Sequence, residues 1–373
     1  MTDQYCFPSL EGVIVGETAI ATIEGGLQYR GYAIEDLARD TTFIEVAYLL
    51  LNGELPSQEQ LADFRAVLVD SAKVPAAILS FMKEVPIHVS PMDVLRTAIS
   101  AAGHFDPQVA DDSSSANIAK TLRLLAWTPV LIAARHRYLY GLPLLEPNSE
   151  LSYSANLLNL ITGQEPSPLQ EHAMDVLLIL YAEHEFNAST FTARVVTSTR
   201  SDLYSAVVAA VGALKGPVHS GANERVMDLL KEVGAPDNAE RWVRDALEKK
   251  RRIMGFGHRV YKVGDSRAAI LKDYCSQLAE QDGQTDLEEI AGTIERIIRQ
   301  EKGLLPNLDW PSARLYHYLG LEVEMYTPLF VVSRVVGWAA HVIEQSEDNR
   351  LIWPRSRYTG PAKRKFVPLL ERG

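Results

Sequence analysis

Residues 327–345 read TPLFVVSRVVGWAAHVIEQ, the most informative helical pattern in the chain. A threonine followed by a proline is typical of a helix start, with Thr327 as the N-cap and Pro328 at the first helical position. The apolar side chains that follow cover most of the helical circumference, which predicts a helix buried in the core. Arg334 lies in the middle of it. A buried guanidinium is costly unless an anion accompanies it, and the sequence leaves open a structural carboxylate or the carboxylate of a bound ligand.

Most of the remaining chain repeats apolar residues at helical spacing, so the sequence predicts an essentially all-α protein. The exception lies near the amino terminus. Residues 19–23 and 27–29 have the composition of short β-strands and flank Glu24-Gly25-Gly26, which predicts a small β-hairpin. Further on, residues 285–288 (TDLE) predict a capping box that opens a helix over 286–299, and Gly303 is expected to end it.

Length and composition limit the class of protein. A chain of 373 residues is long for one core, so two domains are expected. The net charge of −11 argues against a nucleic-acid-binding protein. The chain has no apolar run of the ~18 residues that a membrane span needs, and its start lacks the pattern of a secretory signal. Cys6 and Cys275 match no metal or redox spacing, so we expect a cytoplasmic protein without a metal site.

One loop carries an unusual combination of residues. Residues 253–267 read IMGFGHRVYKVGDSR, in which Gly255 and Gly257 precede His258 and the cation Lys262 follows. Glycine lets the backbone adopt conformations closed to other residues and lets a ligand approach closely. Such a loop suits an anionic ligand that has a carbonyl group. The cations would bind its negative charge, the imidazole would polarise its carbonyl, and the glycines would let the backbone come close to it. The alternative is an ordinary glycine-bearing loop with a solvated basic face.

Three further residues are candidates for chemistry. His219 follows the helix-ending Gly216-Pro217, a position better suited to a cleft than to core packing, and His184 lies in AEHEFNAST. Asp309, in PNLDWPSA, lies between two prolines and beside a tryptophan. A desolvated carboxylate there could act as a general base, and an N-cap of the following helix is the equally physical alternative.

Four motifs together resemble one family. GPVHSGANE, MGFGHRVYKVGDSRA, PNLDWPSARLYHYLG and TPLFVVSRVVGWAAHVIEQ occur in the order and spacing of citrate synthases, and the amino-terminal half looks like that family too. The chain is also similar to the closely related 2-methylcitrate synthases. The resemblance covers nearly the whole sequence.

The resemblance implies a two-domain, mostly helical homodimer, with higher assemblies left open. Residues 1–220 and 325–373 would form a large domain, and residues 221–324 a small one, with the cleft between them. It implies condensation of acetyl-CoA with oxaloacetate and water to give citrate and CoA. It implies no permanently bound cofactor, because the CoA thioester is a substrate.

The resemblance also implies roles for individual residues. Asp309 would remove a proton from the acetyl group, His219 would hold the enol oxygen, and His258 would polarise the oxaloacetate carbonyl. The residues implied for oxaloacetate binding are His184, Asn187, Arg267, Arg334 and Arg355. Those implied for CoA binding are Ile253, Gly255, Gly257, Lys262, Lys302 and Asn307.

The sequence departs from the family pattern at several positions. Ser220, Ser266 and Trp310-Pro311 replace other residues, and Trp353 stands where an arginine is usual. A tryptophan cannot make a bidentate carboxylate contact, so Arg355 or Arg357 is expected to substitute, or the site lacks one cation. Three hypotheses follow: a citrate synthase, a 2-methylcitrate synthase using propionyl-CoA, and a catalytically weakened paralogue with an assembly or regulatory role.

Overall fold

The fold is described here from a computed structural model covering residue 10, residues 12–257 and residues 264–372. Within this part of the chain there are sixteen α-helices, which confirms the predicted all-α class. Their bounds are α1 Ile34–Asp40, α2 Phe43–Asn52, α3 Gln58–Ser71, α4 Ala76–Glu84, α5 Pro91–Ala102, α6 Ser114–Leu139, α7 Tyr153–Thr162, α8 Pro168–Tyr181, α9 Ala188–Ser198, α10 Leu203–Leu214, α11 Ala222–Val233, α12 Pro236–Glu248, α13 Ser266–Asp282, α14 Asp286–Lys302, α15 Asp309–Tyr318 and α16 Tyr326–Glu347.

The amino-terminal β structure has one strand more than predicted. β1 (Ala21–Thr22) pairs antiparallel with β2 (Gln28–Tyr29), as the predicted hairpin requires. β2 also pairs antiparallel with β3 (Tyr32–Ala33), so the sheet has three strands in the order β1-β2-β3. Two-residue strands give almost no alternation of apolar and polar side chains, which is why the third strand leaves no clear pattern in the sequence.

Helix α16 is buried along almost its whole length, as predicted. It packs against α2, α6, α8, α9 and α10. Residues Val323–Glu347 have the length and hydropathy of a membrane span, but the most apolar window of this segment is entirely buried inside the protein. That is the environment of a core helix, whose apolar face is satisfied by its neighbours.

Two predicted helix caps are wrong. Thr285 does not form a capping box, and Thr327 is not an N-cap, since α16 begins at Tyr326. A side-chain cap needs an extended residue before the helix. Thr285 already has helical dihedrals, and the turn Val323–Met325 leads directly into α16. Gly303 does end α14, with a positive φ of 65°.

Helices α11 to α15 pack mainly on one another. Helix α13 contacts α15, α12 contacts α14, and α11 contacts α15. Their contacts with the other helices include α13 on α8 and α11 on α16. The side chain of Thr327 also donates to Glu224 of α11, and the Tyr140 hydroxyl donates to Glu324 at 2.8 Å.

Candidate active site

The carboxyl end of α8 gathers side chains from distant parts of the sequence. Each of its last four carbonyl oxygens accepts a hydrogen bond from a side chain, and two of the donors are arginines. The pairs are Ser333 to Leu178, Tyr29 to Ile179 at 3.1 Å, Arg267 to Leu180 at 3.4 Å and Arg334 to Tyr181 at 2.6 Å. The last carbonyls of a helix have no intrahelical partner and carry partial negative charge, so they attract cations. Two of the predicted carboxylate-binding arginines are thereby brought together.

Arg334 is buried without an ion pair among the described residues. Its Nε donates to Tyr181, and its guanidinium carbon lies 4.7 Å from the centre of the Phe330 ring. Burial lowers the pKa of Arg334, and the charge that opposes this most is Glu183, whose Oε1 contacts His341 instead. The alternative of a direct structural ion pair is therefore wrong within the described chain. A ligand carboxylate remains the predicted anion.

Arg267 has a different environment. Its Nε and Nη2 each lie 2.9 Å from one oxygen of Asp265, a bidentate pair in which both side chains are buried. Asp265 is also the N-cap of α13 and accepts the backbone N–H of Leu308 at 3.2 Å. The Asp265 carboxylate ties the start of α13 to the start of α15, and Arg267 holds that carboxylate in place, so Arg267 has a structural role whatever else it binds.

The segment 182–187 connects α8 to α9. It carries His184 and Asn187. Asn187 is the N-cap of α9, with Oδ1 accepting the N–H groups of Ser189 and Thr190 at 3.1 Å. Its amide nitrogen lies 3.4 Å from the His184 carbonyl oxygen. Asn187 thus fixes the loop around His184.

A buried network of polar side chains contacts this segment. The Nε2 atom of His341 lies 3.0 Å from Glu183, and its Nδ1 lies 3.0 Å from Arg194. Arginine can only donate, so Nδ1 accepts and the ring proton lies on Nε2, facing Glu183. Among the described residues, the second oxygen of Glu183 has no hydrogen-bond partner. It faces Gly337, where a Cβ would collide with it.

His219 is held by the amino-terminal turn of α9. Its Nε2 lies 3.1 Å from the backbone nitrogen of Ser189 and 2.8 Å from the Ser189 hydroxyl. A backbone N–H can only donate, so Nε2 is an acceptor and the ring proton of the neutral imidazole lies on Nδ1. Burial lowers the pKa of His219, with the positive charge of Arg334 adding to the effect. The ring is therefore a neutral hydrogen-bond donor through Nδ1.

Asp309 is the first residue of α15, and the N-cap position belongs to Leu308. The predicted alternative, Asp309 as N-cap, is therefore wrong. Its Oδ1 accepts from the Tyr181 hydroxyl at 3.2 Å. Burial raises the pKa of Asp309 above its usual value, against the lowering effects of Tyr181 and Arg267. A carboxylate with a raised pKa is a stronger base than one in water.

The glycine loop is joined to the segment before α15. Phe256 and Pro306 form an antiparallel bridge, and Asn307 donates through its side chain to the Gly257 carbonyl at 2.9 Å. Its Oδ1 accepts the N–H of Asp309 at 3.1 Å, so Asn307 connects the loop to the candidate base. Gly255 has a φ of +87°, and a Cβ there would lie 2.8 Å from Trp310. Packing against the indole is enough to require this glycine.

The indole of Trp310 is fully buried and faces the interior. It lies 4.6 Å from Phe256, ring centre to ring centre, and its N–H donates to Glu295 at 2.8 Å. The contacts of Trp310 are therefore those of a core residue.

Of the other predicted residues, those in the described part of the chain do not join these contacts. His258 and Lys262 lie outside the described residues. Ile253 is half-buried against the core, and Lys302 is exposed at the end of α14. Arg355 is exposed in the segment after α16, which has no helix until Leu369–Glu371.

Two residues that contact this site were not predicted. Ser189 contacts His219 and accepts from the Trp338 indole at 3.1 Å. Tyr181 contacts Asp309 and Arg334. Ser189 lies two residues after Asn187 in the singled-out AEHEFNAST motif, so its position was a usable signal. Tyr181 ends an apolar run, where a tyrosine is expected to be a core residue.

The arrangement supplies what proton removal beside a carbonyl requires. A base with a raised pKa is joined through the end of α8 to two arginines, and the charge of one of them, Arg334, lowers the pKa of the neutral donor His219. The donor can stabilise the negative charge that develops on the carbonyl oxygen, and the cations can hold an anionic partner.

Comparison with known proteins agrees with this reading. Residues 9–355 match the family model described as citrate synthase, C-terminal domain. The chain is 46% identical over 365 residues to citrate synthase 2 of Bacillus subtilis (strain 168), covering 97% of this chain and 98% of that protein. It is 45% identical over 359 residues to a 2-methylcitrate synthase of Mycobacterium tuberculosis, covering 95% and 91%.

A solved structure has a closely similar fold. The ternary complex of citrate synthase from Thermoplasma acidophilum with carboxymethyl coenzyme A and oxaloacetate superimposes with a TM-score of 0.91. The two chains share 33% sequence identity, with 97% of this chain and 98% of that one covered. By sequence and by fold, this chain belongs to the citrate synthase family.

Proposed function

We propose that the protein condenses acetyl-CoA with oxaloacetate and water to give citrate and CoA. The observation that carries the proposal is a buried carboxylate of raised pKa, Asp309, joined through Tyr181 to Arg334, whose charge lowers the pKa of the neutral imidazole donor His219. The citrate synthase names of full-length relatives support the same reaction.

The first step is removal of a proton from the acetyl methyl group by the Asp309 carboxylate. The thioester oxygen gains electron density as the enol forms, and the Nδ1–H of His219 donates to it. A positioned acid or base typically contributes roughly 10²–10⁴-fold in rate. Because Ser189 holds Nε2 as an acceptor, the ring presents its proton at Nδ1 without having to become charged.

The enol carbon then attacks the ketone carbon of oxaloacetate. One carbon–carbon bond forms, and the ketone oxygen takes a proton, which we assign to His258. Water hydrolyses the thioester of the product, which releases CoA and leaves a third carboxylate. The residues that would bind oxaloacetate are Arg334, His184, Asn187 and Arg267. Arg334 is the best supported of them, because it is a buried cation without a direct ion pair among the described residues.

For CoA, we propose binding along Ile253, Gly255 and Gly257 with help from Lys262, Lys302 and Asn307. The bridge between Phe256 and Pro306 supports this assignment, because it holds the glycine loop next to the segment that carries Asp309. No permanently bound cofactor is needed for the reaction.

We also propose a homodimer in which the segment after α16 reaches the second copy. Leu351, Trp353, Tyr358 and Phe366 are exposed in this segment. Residues 350–372 contain seven Lys or Arg and one Glu, in a chain whose net charge is −11. A cationic arm with exposed apolar side chains fits the acidic surface of another copy. Arg355 would supply the cation that Trp353 cannot.

Two organisational features complete the proposal. Residues 221–324 would move as a small domain, because α11 to α15 contact one another more extensively than they contact the rest. The protein would act in the cytoplasm as part of the tricarboxylic acid cycle, and the buried free thiol of Cys275 fits a reducing compartment.

A second candidate is 2-methylcitrate synthesis from propionyl-CoA, favoured by the 45% identity to a 2-methylcitrate synthase. Measurement of CoA release with oxaloacetate and each acyl-CoA separates the possibilities. We expect a higher kcat/KM for acetyl-CoA. A higher value for propionyl-CoA would assign the second activity, and no release with either would leave the weakened paralogue.

A further inference from the structure

Tyr181, the last residue of α8, contacts both halves of the site. Its hydroxyl lies 3.2 Å from Oδ1 of Asp309 and 2.8 Å from the hydroxyl of Ser312. Its carbonyl oxygen accepts from Nε of Arg334 at 2.6 Å. The ring is buried and packs against Phe330 with 4.3 Å between ring centres. One residue therefore connects the proposed base to the proposed oxaloacetate-binding arginine.

The directions of these hydrogen bonds follow from their chemistry. An ionised carboxylate can only accept, so the single phenolic hydrogen of Tyr181 must point at Asp309. The Ser312 hydroxyl lies 2.8 Å from the phenol oxygen and 3.3 Å from the Asp309 carbonyl oxygen, so it contacts both residues. Tyr181 is thus the donor to the Asp309 carboxylate, with Ser312 against both of them.

We propose that Tyr181 is a positioning residue for the base, fixing the Asp309 carboxylate so that its second oxygen faces the acyl-CoA. The proposal rests on the proposed function, in which Asp309 removes the α-proton. A carboxylate on a side chain can rotate, and a hydrogen bond to one oxygen selects the orientation of the other. The Tyr181 backbone is itself fixed by Arg334, so the position of the base depends on this arginine of α16.

The electrostatic surroundings of Asp309 give this contact a measurable consequence. Burial raises the pKa of Asp309, Tyr181 and Arg267 lower it, and Asp265 raises it. Tyr316 also interacts with it but makes no hydrogen bond to it. Removing the Tyr181 hydroxyl removes a donor that favours the charged carboxylate, so the pKa of Asp309 rises further. The base is then protonated over a wider range of pH.

The test compares Tyr181→Phe with Tyr316→Phe. Both changes remove one hydroxyl from a buried tyrosine, and Tyr316 lies on the same helix as Asp309. For Tyr181→Phe we expect the acidic limb of the kcat/KM profile for acyl-CoA to move to higher pH. We also expect the plateau to fall roughly 10-fold, the effect of losing one hydrogen bond to a charged group. Tyr316→Phe should leave the limb where it is.

A second readout separates this proposal from the proposed function. The Asp309 carboxyl can be followed by carbon-13 NMR in aspartate-labelled protein, with Asp309→Asn identifying its signal. The titration should move to higher pH in Tyr181→Phe, and by a smaller amount in Ser312→Ala, which also serves if the first variant does not fold. An unmoved titration in the folded variants overturns the role of Tyr181, even if the enzyme is active. A wild-type protein that releases no CoA would overturn the proposed function, while the titration would still test the contact.

Discussion

Arg334 and Tyr181 are joined by a 2.6 Å hydrogen bond from the guanidinium Nε to a backbone carbonyl at the end of α8. This contact places an arginine from the core helix α16 at the negative end of another helix. The helix dipole and the negative charge of Glu183 offset the buried cation without neutralising it in a direct pair. A site of this kind is ready to receive an anion.

Arg334→Met should separate a binding role from a structural one. Arg334 forms no ion pair among the described residues, so its replacement does not leave a buried carboxylate unpaired. The melting temperature should therefore stay close to that of the wild type or rise. The KM for oxaloacetate should rise roughly 30-fold or more, as expected for loss of a desolvated charged contact. Calorimetry and steady-state kinetics measure the two effects.

Arg194→Met is the matched control. Arg194 is also buried, but it pairs with Glu344 at 2.6 Å, so its removal leaves that carboxylate without its partner and should lower the melting temperature. If Arg334→Met were equally destabilising and left the oxaloacetate KM unchanged, its role would be structural.

Asp309→Asn should stabilise the protein at neutral pH. Burial raises the pKa of Asp309 in the folded state, so the folded protein binds this proton more tightly than the unfolded chain does. Stability therefore falls as pH rises from the unfolded-state pKa through the raised value, and the cost is complete above it. Asparagine is never charged and avoids this cost. The gain in melting temperature should shrink as the pH falls towards 4, and a gain that is independent of pH would contradict the account.

Gly337→Ala should disturb the segment 182–187. A Cβ at Gly337 would collide with the Ala182 carbonyl and the Glu183 carboxylate, both buried. Forcing these groups apart should destabilise the protein by roughly 1–3 kcal/mol and should also weaken oxaloacetate binding. Gly212→Ala is the control, because a Cβ there meets nothing within 4 Å in a helix and should be neutral or stabilising by up to ~1 kcal/mol. Equal stability of the two variants in thermal melts would disprove the steric argument.

Arg355→Gln tests the arm that follows α16. If Arg355 supplies a cation to the partner's site, the KM for oxaloacetate should rise about 10-fold while the dimer persists in light scattering. Lys363→Gln, in the same exposed arm, should have no effect on KM. Identical kinetics for the two variants would remove Arg355 from the site.

The apolar core could be predicted from the sequence, while the polar contacts largely could not. Helix α16 shows its burial directly, because its apolar residues surround the helix. The predicted capping box at Thr285 and the predicted N-cap at Thr327 were wrong, because the sequence does not reveal that Thr285 itself and the residues before Thr327 already have helical backbone. Caps depend on two dihedral angles at one residue, and a motif of four letters does not fix them.

The site itself required both the family motifs and the structure. Motif order identified His219, Asp309 and Arg334 individually. The hydrogen-bond donor that sets the tautomer of His219 is a backbone N–H of Ser189, and backbone groups carry no residue-specific signal. Tyr181 was missed for a related reason, since a tyrosine at the end of an apolar helix looks like core until its hydroxyl is found against Asp309.

The most direct test of the central claim is CoA release by wild-type protein, Asp309→Asn and the exposed control Asp286→Asn. With acetyl-CoA and oxaloacetate together, the wild type and Asp286→Asn should release CoA at similar rates, and neither should do so appreciably when oxaloacetate is omitted. Asp309→Asn should lose at least roughly 10²-fold in kcat while still binding oxaloacetate by titration calorimetry. Wild-type turnover by Asp309→Asn, or no oxaloacetate-dependent release by the wild type, would contradict the account.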